Sequence, residues 1–218
     1  MDVYVRTPEE RHLNRRFMLK VGLTGGLASG KSFVGAALED LGCKLIEADE
    51  LGHEVLMPDG AAYASVVREF GAGILDPDGE IDRKRLALEV FANKERLRLL
   101  NSLVHPEVHK RTDELMAEYF AADPDAIVVV EAAIHIETGG YKRFDKLIVV
   151  VCTLEQQIER AMHRDGSSRA AILARLASQM PLDEKRKYAD YVIDTSGAKE
   201  DTLRQTEEVY HLLRSLTL

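Results

Sequence analysis

Gly25-Gly26-Leu27-Ala28-Ser29-Gly30-Lys31-Ser32 forms a G-x-x-x-x-G-K-S pattern. Glycines in such a loop let successive backbone N–H groups converge on a phosphate, and a following helix adds the positive end of its dipole. Lys31 can reach the β- and γ-phosphates of a nucleotide, and the Ser32 hydroxyl can ligate Mg²⁺. The expected nucleotide contacts run through Gly26, Leu27, Ala28, Ser29, Gly30, Lys31, Ser32 and Phe33. Phe33 stands where another hydroxyl is usual, and the lost contact costs about 1 kcal/mol of nucleotide affinity. From average residue frequencies the pattern arises by accident in roughly one chain in a hundred of this length, and its place between a buried strand and a helix makes accident rarer. The loop therefore predicts nucleotide binding.

The loop alone does not separate a GTPase, an ATPase and a small-molecule kinase. A GTPase needs an Asp-x-x-Gly after a strand and a guanine-reading Asn-Lys-x-Asp. "DPDG" (Asp76–Gly79) fits the first in letters, but its Pro-Asp-Gly content reads as a reverse turn. "NKER" (Asn93–Arg96) lacks the final Asp and reads as a helix start. A motor or transport ATPase places a metal-orienting Asp after a hydrophobic strand; here "VVVE" ends in Glu131. A kinase is the remaining reading. Phosphoryl transfer to a small acceptor requires exclusion of water, which closing helical segments provide.

Two inserted segments of that kind are present between the strands that must position the loop. Strands are expected at Leu19–Thr24, Lys44–Asp49, Ala126–Glu131, Lys146–Cys152 and Tyr191–Asp194, with helices at Lys31–Leu41 and Leu203–Leu213. From about Leu51 to Phe120 the chain is rich in Ala, Leu, Glu and Arg and reads as several helices, with Pro106 near the start of the last. Glu155–Lys187 is a second, polar helical excursion. The outline is a five-strand α/β core interrupted twice by helices.

Composition narrows the partners. A formal net charge of −8 over 218 residues argues against a general nucleic-acid binder, which needs a basic surface. No apolar run reaches the roughly 18 residues needed to span a bilayer. Cys43 and Cys152 match no metal spacing and read as buried or half-buried thiols in a reducing compartment. "MDVYVRTPEERHLNRRF" (Met1–Phe17) has no continuous apolar segment, so a cytoplasmic protein with a dispensable N-terminal extension is expected.

Several separate stretches resemble one family, dephospho-CoA kinase. "VGLTGGLASGKS" resembles its phosphate loop, and "IEADELG" (Ile46–Gly52) the acidic end of its second strand. "FGAGILDPDGEIDRKRL" (Phe70–Leu86) and "VFANKERLRLLNSLVHPEV" (Val90–Val108) resemble its substrate-side helices. "IETGGYKRFDKLIVVVC", "QIERAMHRDG" and "ADYVIDTSG" resemble its later strands, lid and C-terminal loop. The stretches fall in the family's order from about Met18 to Leu213.

The resemblance implies transfer of the γ-phosphate of ATP, with Mg²⁺, to the ribose 3′-hydroxyl of dephospho-CoA, the last step of coenzyme A synthesis. It implies a P-loop NTPase-type three-layer α/β fold with a five-stranded parallel sheet, a helical substrate-binding insertion and a small helical lid. Residues 18–51, 121–154 and 188–218 would form the nucleotide-binding core, 52–120 the helical subdomain and 155–187 the lid, after an extension over 1–17. Asp49 matches the candidate base, which takes the hydroxyl proton or helps hold the Mg²⁺ shell, though it also opens a helix; Glu47 is the weaker candidate. Arg164, four residues after Arg160 and so on the same helix face, matches the lid's phosphate clamp, with Arg169 and Arg175 as alternatives. Arg83 and His105 match substrate-binding positions, and Ser196 and Gly197 lie where the family approaches adenine. His105 and His109 have a zinc-compatible spacing but no third ligand in view. His135 stands where an aliphatic residue is more common, facing either substrate or the surface. A small-molecule substrate, no nucleic acid, no membrane and a monomer or weak homo-oligomer complete the expectation. Another small-molecule kinase on the same core, for a nucleoside or nucleotide, and a non-catalytic nucleotide-binding regulator are the alternatives.

Overall fold

In the computed structural model, which describes residues 18–91 and 93–217, five strands join one sheet. They are β1 (Leu19–Gly25), β2 (Lys44–Glu47), β3 (Ile127–Glu131), β4 (Lys146–Val151) and β5 (Tyr191–Asp194), in the order β2-β3-β1-β4-β5. β1 runs parallel to β3, with Leu23 opposite Glu131, and parallel to β4, with Gly25 opposite Val150; β4 is parallel to β5. Parallel neighbours require crossovers, and the helices supply them. The helices are α1 (Lys31–Asp40), α2 (Ala48–Glu54), α3 (Tyr63–Phe70), α4 (Arg83–Phe91), α5 (Lys94–Ala122), α6 (Leu154–Asp165), α7 (Arg169–Ala177), α8 (Leu182–Lys185) and α9 (Lys199–Ser215).

All of β3 is buried, as is β4 beyond Lys146, which is why both read as apolar runs, β3 up to its closing Glu131, and not as alternations. Alternate residues of β4 feed two different cores. Ile148 and Val150 pack with Val21, Leu23 and Val129 against Val34 and Leu38 of α1 and Val209 and Leu213 of α9. Leu147, Val149 and Val151 pack on the opposite face with Ile136, Met180 and Leu182. Helical material thus covers the sheet on both sides.

The chain divides into two compact units, one of residues 18–45 with 119–217, the other Ile46–Glu118. The second has its own core, in which Val55, Ala62, Val66, Phe70, Ile74, Leu86 and Val90 are buried. Within it, Asp76–Gly79 is a reverse turn: the Asp76 carboxylate accepts the Asp78 and Glu80 N–H groups at 3.0 and 2.9 Å. Asn93 caps α5 by accepting the N–H groups of Glu95 and Arg96 at 3.0 and 3.1 Å. The two GTPase look-alikes are therefore a turn and a helix cap.

Three expected boundaries shift. Pro106 lies well inside α5, not near its start. A proline deprives its helix of one N–H bond, and here Leu99, Leu100, Leu103, Val104 and Val108, packed on the second unit's core, carry the helix through. The strand expected over Lys44–Asp49 stops at Glu47, and Asp49 and Glu50 occupy the first turn of α2, where acidic groups favour a helix N-terminus. α9 begins at Lys199, earlier than its apolar periodicity shows, because its first turn is polar. The expected extension over residues 1–17 lies outside the described residues.

Candidate active site

The phosphate loop begins where β1 leaves the sheet. A Cβ on Gly25 would stand 2.5 Å from both the Ser29 hydroxyl and the Val150 carbonyl, so only glycine lets the loop turn back this closely. Gly30 has φ +93°, in the left-handed region that glycine enters without strain, and hands the chain to α1. Ser29 N–H donates to the Gly26 carbonyl at 3.3 Å, and Lys31 Nζ donates to the same carbonyl at 3.2 Å. The Ser29 side chain is buried, and its hydroxyl has no hydrogen-bond partner among the described residues.

Ser32 donates its hydroxyl to Glu131 Oε1 at 3.0 Å. Glu131 ends β3 and is buried at 7% exposure, directly beside β1. Ligands in parallel α/β sheets bind outside the carboxyl ends of the strands, and this carboxylate sits at such an end. A hydroxyl and a carboxylate are hard oxygen donors suited to Mg²⁺, which takes one or two protein oxygens and shares the rest of its shell with water and phosphate. No group of three or more His, Cys, Asp or Glu side chains poised to hold a metal occurs among the described residues. The glycine cradle, the Ser29 hydroxyl and the Ser32–Glu131 pair thus fit a magnesium nucleotide.

The 155–187 segment and the loop after β5 surround the cradle. α6 opens with a reciprocal cap, Gln156 N–H to Thr153 Oγ1 and Thr153 N–H to Gln156 Oε1, both 3.2 Å. From α6, Arg160 donates through Nη1 to the Thr195 hydroxyl at 3.0 Å and through Nη2 to the Thr195 carbonyl at 2.7 Å. Thr195 in turn donates its hydroxyl to the Ser29 carbonyl at 2.7 Å. Gln156 Nε2 holds the Ser196 carbonyl at 2.8 Å, so the loop carrying Ser196 and Gly197 is tied to both α6 and the phosphate loop. Gln157 Nε2 donates to the Leu27 carbonyl at 2.7 Å, and Gln179 Oε1 accepts Leu27 N–H at 3.0 Å. Phe33 is 37% exposed on α1, with Lys199 Nζ 5.9 Å from its ring centroid, within cation–π reach.

A family model described as dephospho-CoA kinase matches residues 19–201. The chain belongs to the dephospho-CoA kinase family. A family relative, the dephospho-CoA kinase of Aquifex aeolicus, is 41% identical over 196 residues, covering 90% of this chain and 98% of its own. A crystal structure from Thermus thermophilus, TT1252, aligns with TM-score 0.76 and 33% identity over 89% of this chain and 97% of that one. The dephospho-CoA kinase of Campylobacter jejuni aligns with TM-score 0.59 and 28% identity over 89% and 96%. As a family member, the chain is a kinase that uses ATP.

Against that family identity, the expected site residues divide by unit. Gly26 to Phe33, Arg164, Ser196 and Gly197 belong to the first unit; Asp49, Arg83 and His105 belong to the second. Asp49 and Arg83 are exposed at the starts of α2 and α4. His105 is half-buried on α5, its pKa lowered by burial, with the His109 ring centroid 6.3 Å away. Arg164 and Arg160 share α6, but their head groups part. Arg164 Nε donates to Asp165 Oδ1 at 2.7 Å, while Arg160 binds Thr195. Hydrogen bonds from Arg164 and Arg175 hold the Asp165 carboxyl at about 2. Arg169 pairs with Glu155. His135 does not lie at the surface: it is buried, with Nε2 2.9 Å from the Val130 carbonyl and its ring edge-on to Phe144 at 4.8 Å. The polar ring fits this position because the strand-end carbonyl gives it a partner. Sequence reasoning missed Glu131, Thr195, Gln157 and Gln179; for Glu131 the available signal was a carboxylate closing an otherwise apolar strand.

Proposed function

We propose that this chain phosphorylates the ribose 3′-hydroxyl of dephospho-CoA with Mg·ATP, giving coenzyme A and ADP. The observation that carries the reading is the Ser32–Glu131 pair beside an intact phosphate loop, in a chain matching the family model over residues 19–201. Backbone groups of Gly26 to Phe33 would cradle the phosphates, and Lys31 would neutralise the β- and γ-oxygens. Ser32, with Glu131 behind it, would hold Mg²⁺, which supplies charge neutralisation at the phosphates when bound. We assign Asp49 the acceptance of the 3′-hydroxyl proton, Arg164 a clamp on the transferring phosphoryl group, Arg83 and His105 the acceptor, and Ser196 and Gly197 the adenine. For Arg164 this role requires exchange of its bond to Asp165 for one to phosphate. Residues 52–120 would serve as the substrate-binding subdomain and 155–187 as the lid.

We also assign the protein to the cytoplasm as a monomer or weak homo-oligomer. In support, no helix among the described residues is long and apolar enough to cross a membrane, and Cys43 and Cys152 are free thiols.

The deciding experiment is coupled detection of ADP with ATP and either dephospho-CoA or a panel of nucleosides and nucleotides. Turnover is expected with dephospho-CoA and Mg²⁺, and loss of turnover when the metal is chelated. ATP binding without turnover of dephospho-CoA would overturn the assignment, and turnover of a nucleoside instead would redirect it.

A further inference from the structure

Lys185 closes α8 with its side chain fully buried, at 0% exposure. Its Nζ donates to the Gly25 carbonyl at 3.3 Å and the Ala133 carbonyl at 2.6 Å, and stands 2.9 Å from Glu137 Oε1. An ammonium has three protons and no acceptor, so these three oxygens match its whole donor capacity. The partners are themselves engaged. Glu137 Oε1 also accepts the Met180 N–H at 3.0 Å, and the Ala133 carbonyl also accepts the Thr24 hydroxyl at 3.2 Å. A buried cation whose three bonds are all made rigidifies the segments it joins.

The segments joined here are the ones that carry the chemistry. Gly25 is the last residue of β1 and the first of the phosphate loop. Ala133 lies just beyond Glu131, whose carboxylate holds the Ser32 hydroxyl. Lys31 donates to the next carbonyl, Gly26, so lysines from two places in the chain hold the two successive carbonyls at the foot of the loop. Gln157 and Gln179, from the same 155–187 segment as Lys185, hold Leu27 through its carbonyl and its N–H.

We propose that Lys185 is a positioning residue for nucleotide binding and phosphoryl transfer. It locks the foot of the phosphate loop to the end of β3, keeping the loop and the Ser32–Glu131 pair in one arrangement before nucleotide arrives. The proposal rests on the kinase reading above but concerns the nucleotide side of the site alone.

The test is Lys185→Met, which preserves volume and removes the three bonds. Thermal unfolding, direct titration with a fluorescent ATP analogue, and steady-state kinetics with ATP and dephospho-CoA varied separately are compared with the parent. The expected result is a cooperative melt, a rise of about tenfold or more in both nucleotide Kd and the KM for ATP, and a KM for dephospho-CoA within about twofold. A merely structural role would lower the melting temperature and the active fraction while leaving nucleotide Kd unchanged. A folded Lys185→Met with nucleotide Kd and ATP KM within about twofold of the parent overturns the proposal. If Lys185→Met does not fold, Glu137→Ala decides: it removes one partner at a partly exposed side chain and should weaken nucleotide binding about threefold, and unchanged binding overturns the proposal. Parental turnover of dephospho-CoA tests the function and nucleotide Kd tests Lys185, so the two can fail separately.

Discussion

Glu131 is buried and acidic, and its placement carries a cost that only a specific set of partners offsets. The Ser32 hydroxyl is one such partner, and the pair provides the hard-oxygen environment a magnesium nucleotide needs. Asp49 presents the opposite case: an exposed carboxylate in the first turn of α2, where the helix dipole favours it. Asp49→Ala is expected to lower kcat by a factor of about 100 or more while leaving the nucleotide Kd largely intact, in the range of general-base losses. Stopped-time ADP assays and nucleotide titration check this, and near-normal kcat would remove Asp49 from the mechanism. Lys31 and Ser32 were legible in the sequence because their motif is contiguous. Glu131, Thr195 and Lys185 were not, since their partners Ser32, Ser29 and Gly25 lie 99, 166 and 160 residues away along the chain.

α6 is one of the elements that tie the 155–187 segment to the phosphate loop. Its first turn would leave backbone N–H groups without partners, and the Thr153–Gln156 reciprocal cap supplies one at each end of the box. Further along, Gln157 and Arg160 leave the same helix to hold Leu27 and Thr195. Thr153→Ala is expected to cost about 1 kcal/mol, lowering the melting temperature by about 2–4 °C, with the nucleotide loop otherwise unchanged. Differential scanning calorimetry measures it; no shift would mean that packing of Ile158, Ala161 and Ile172 with Leu27 sets this helix alone. The strands were readable because burial on both faces leaves β3 apolar up to its closing Glu131. Helix ends were less so: neither the polar first turn of α9 nor the passage of α5 through Pro106 follows from local propensity.

At the scale of the whole molecule, each of the two units has its own apolar core, and a titrating group inside one of them makes folding stability depend on pH. Cys43 is buried among Leu38, Leu213 and their neighbours, and burial pushes its thiol from 9.0 up to about 12. Above pH 9.0 the unfolded chain releases this proton while the folded chain retains it, so the unfolded state gains and stability falls as pH rises toward 12. The contribution is fully present below pH 9.0. Urea unfolding of parent and Cys43→Ala between about pH 8 and pH 11 should show the parent losing stability relative to the variant on the alkaline side; parallel curves would contradict this. The sequence by itself determined the phosphate loop, the parallel α/β class, the two helical insertions and the family resemblance. Those features follow from contiguous motifs, from buried strands that must be apolar, and from the order of segments along the chain. Only the tertiary structure decided which carboxylate meets Ser32, that His135 is interior, and that one buried lysine joins Gly25, Ala133 and Glu137. Those facts depend on which strand ends the crossovers bring side by side, and no local spacing encodes that adjacency.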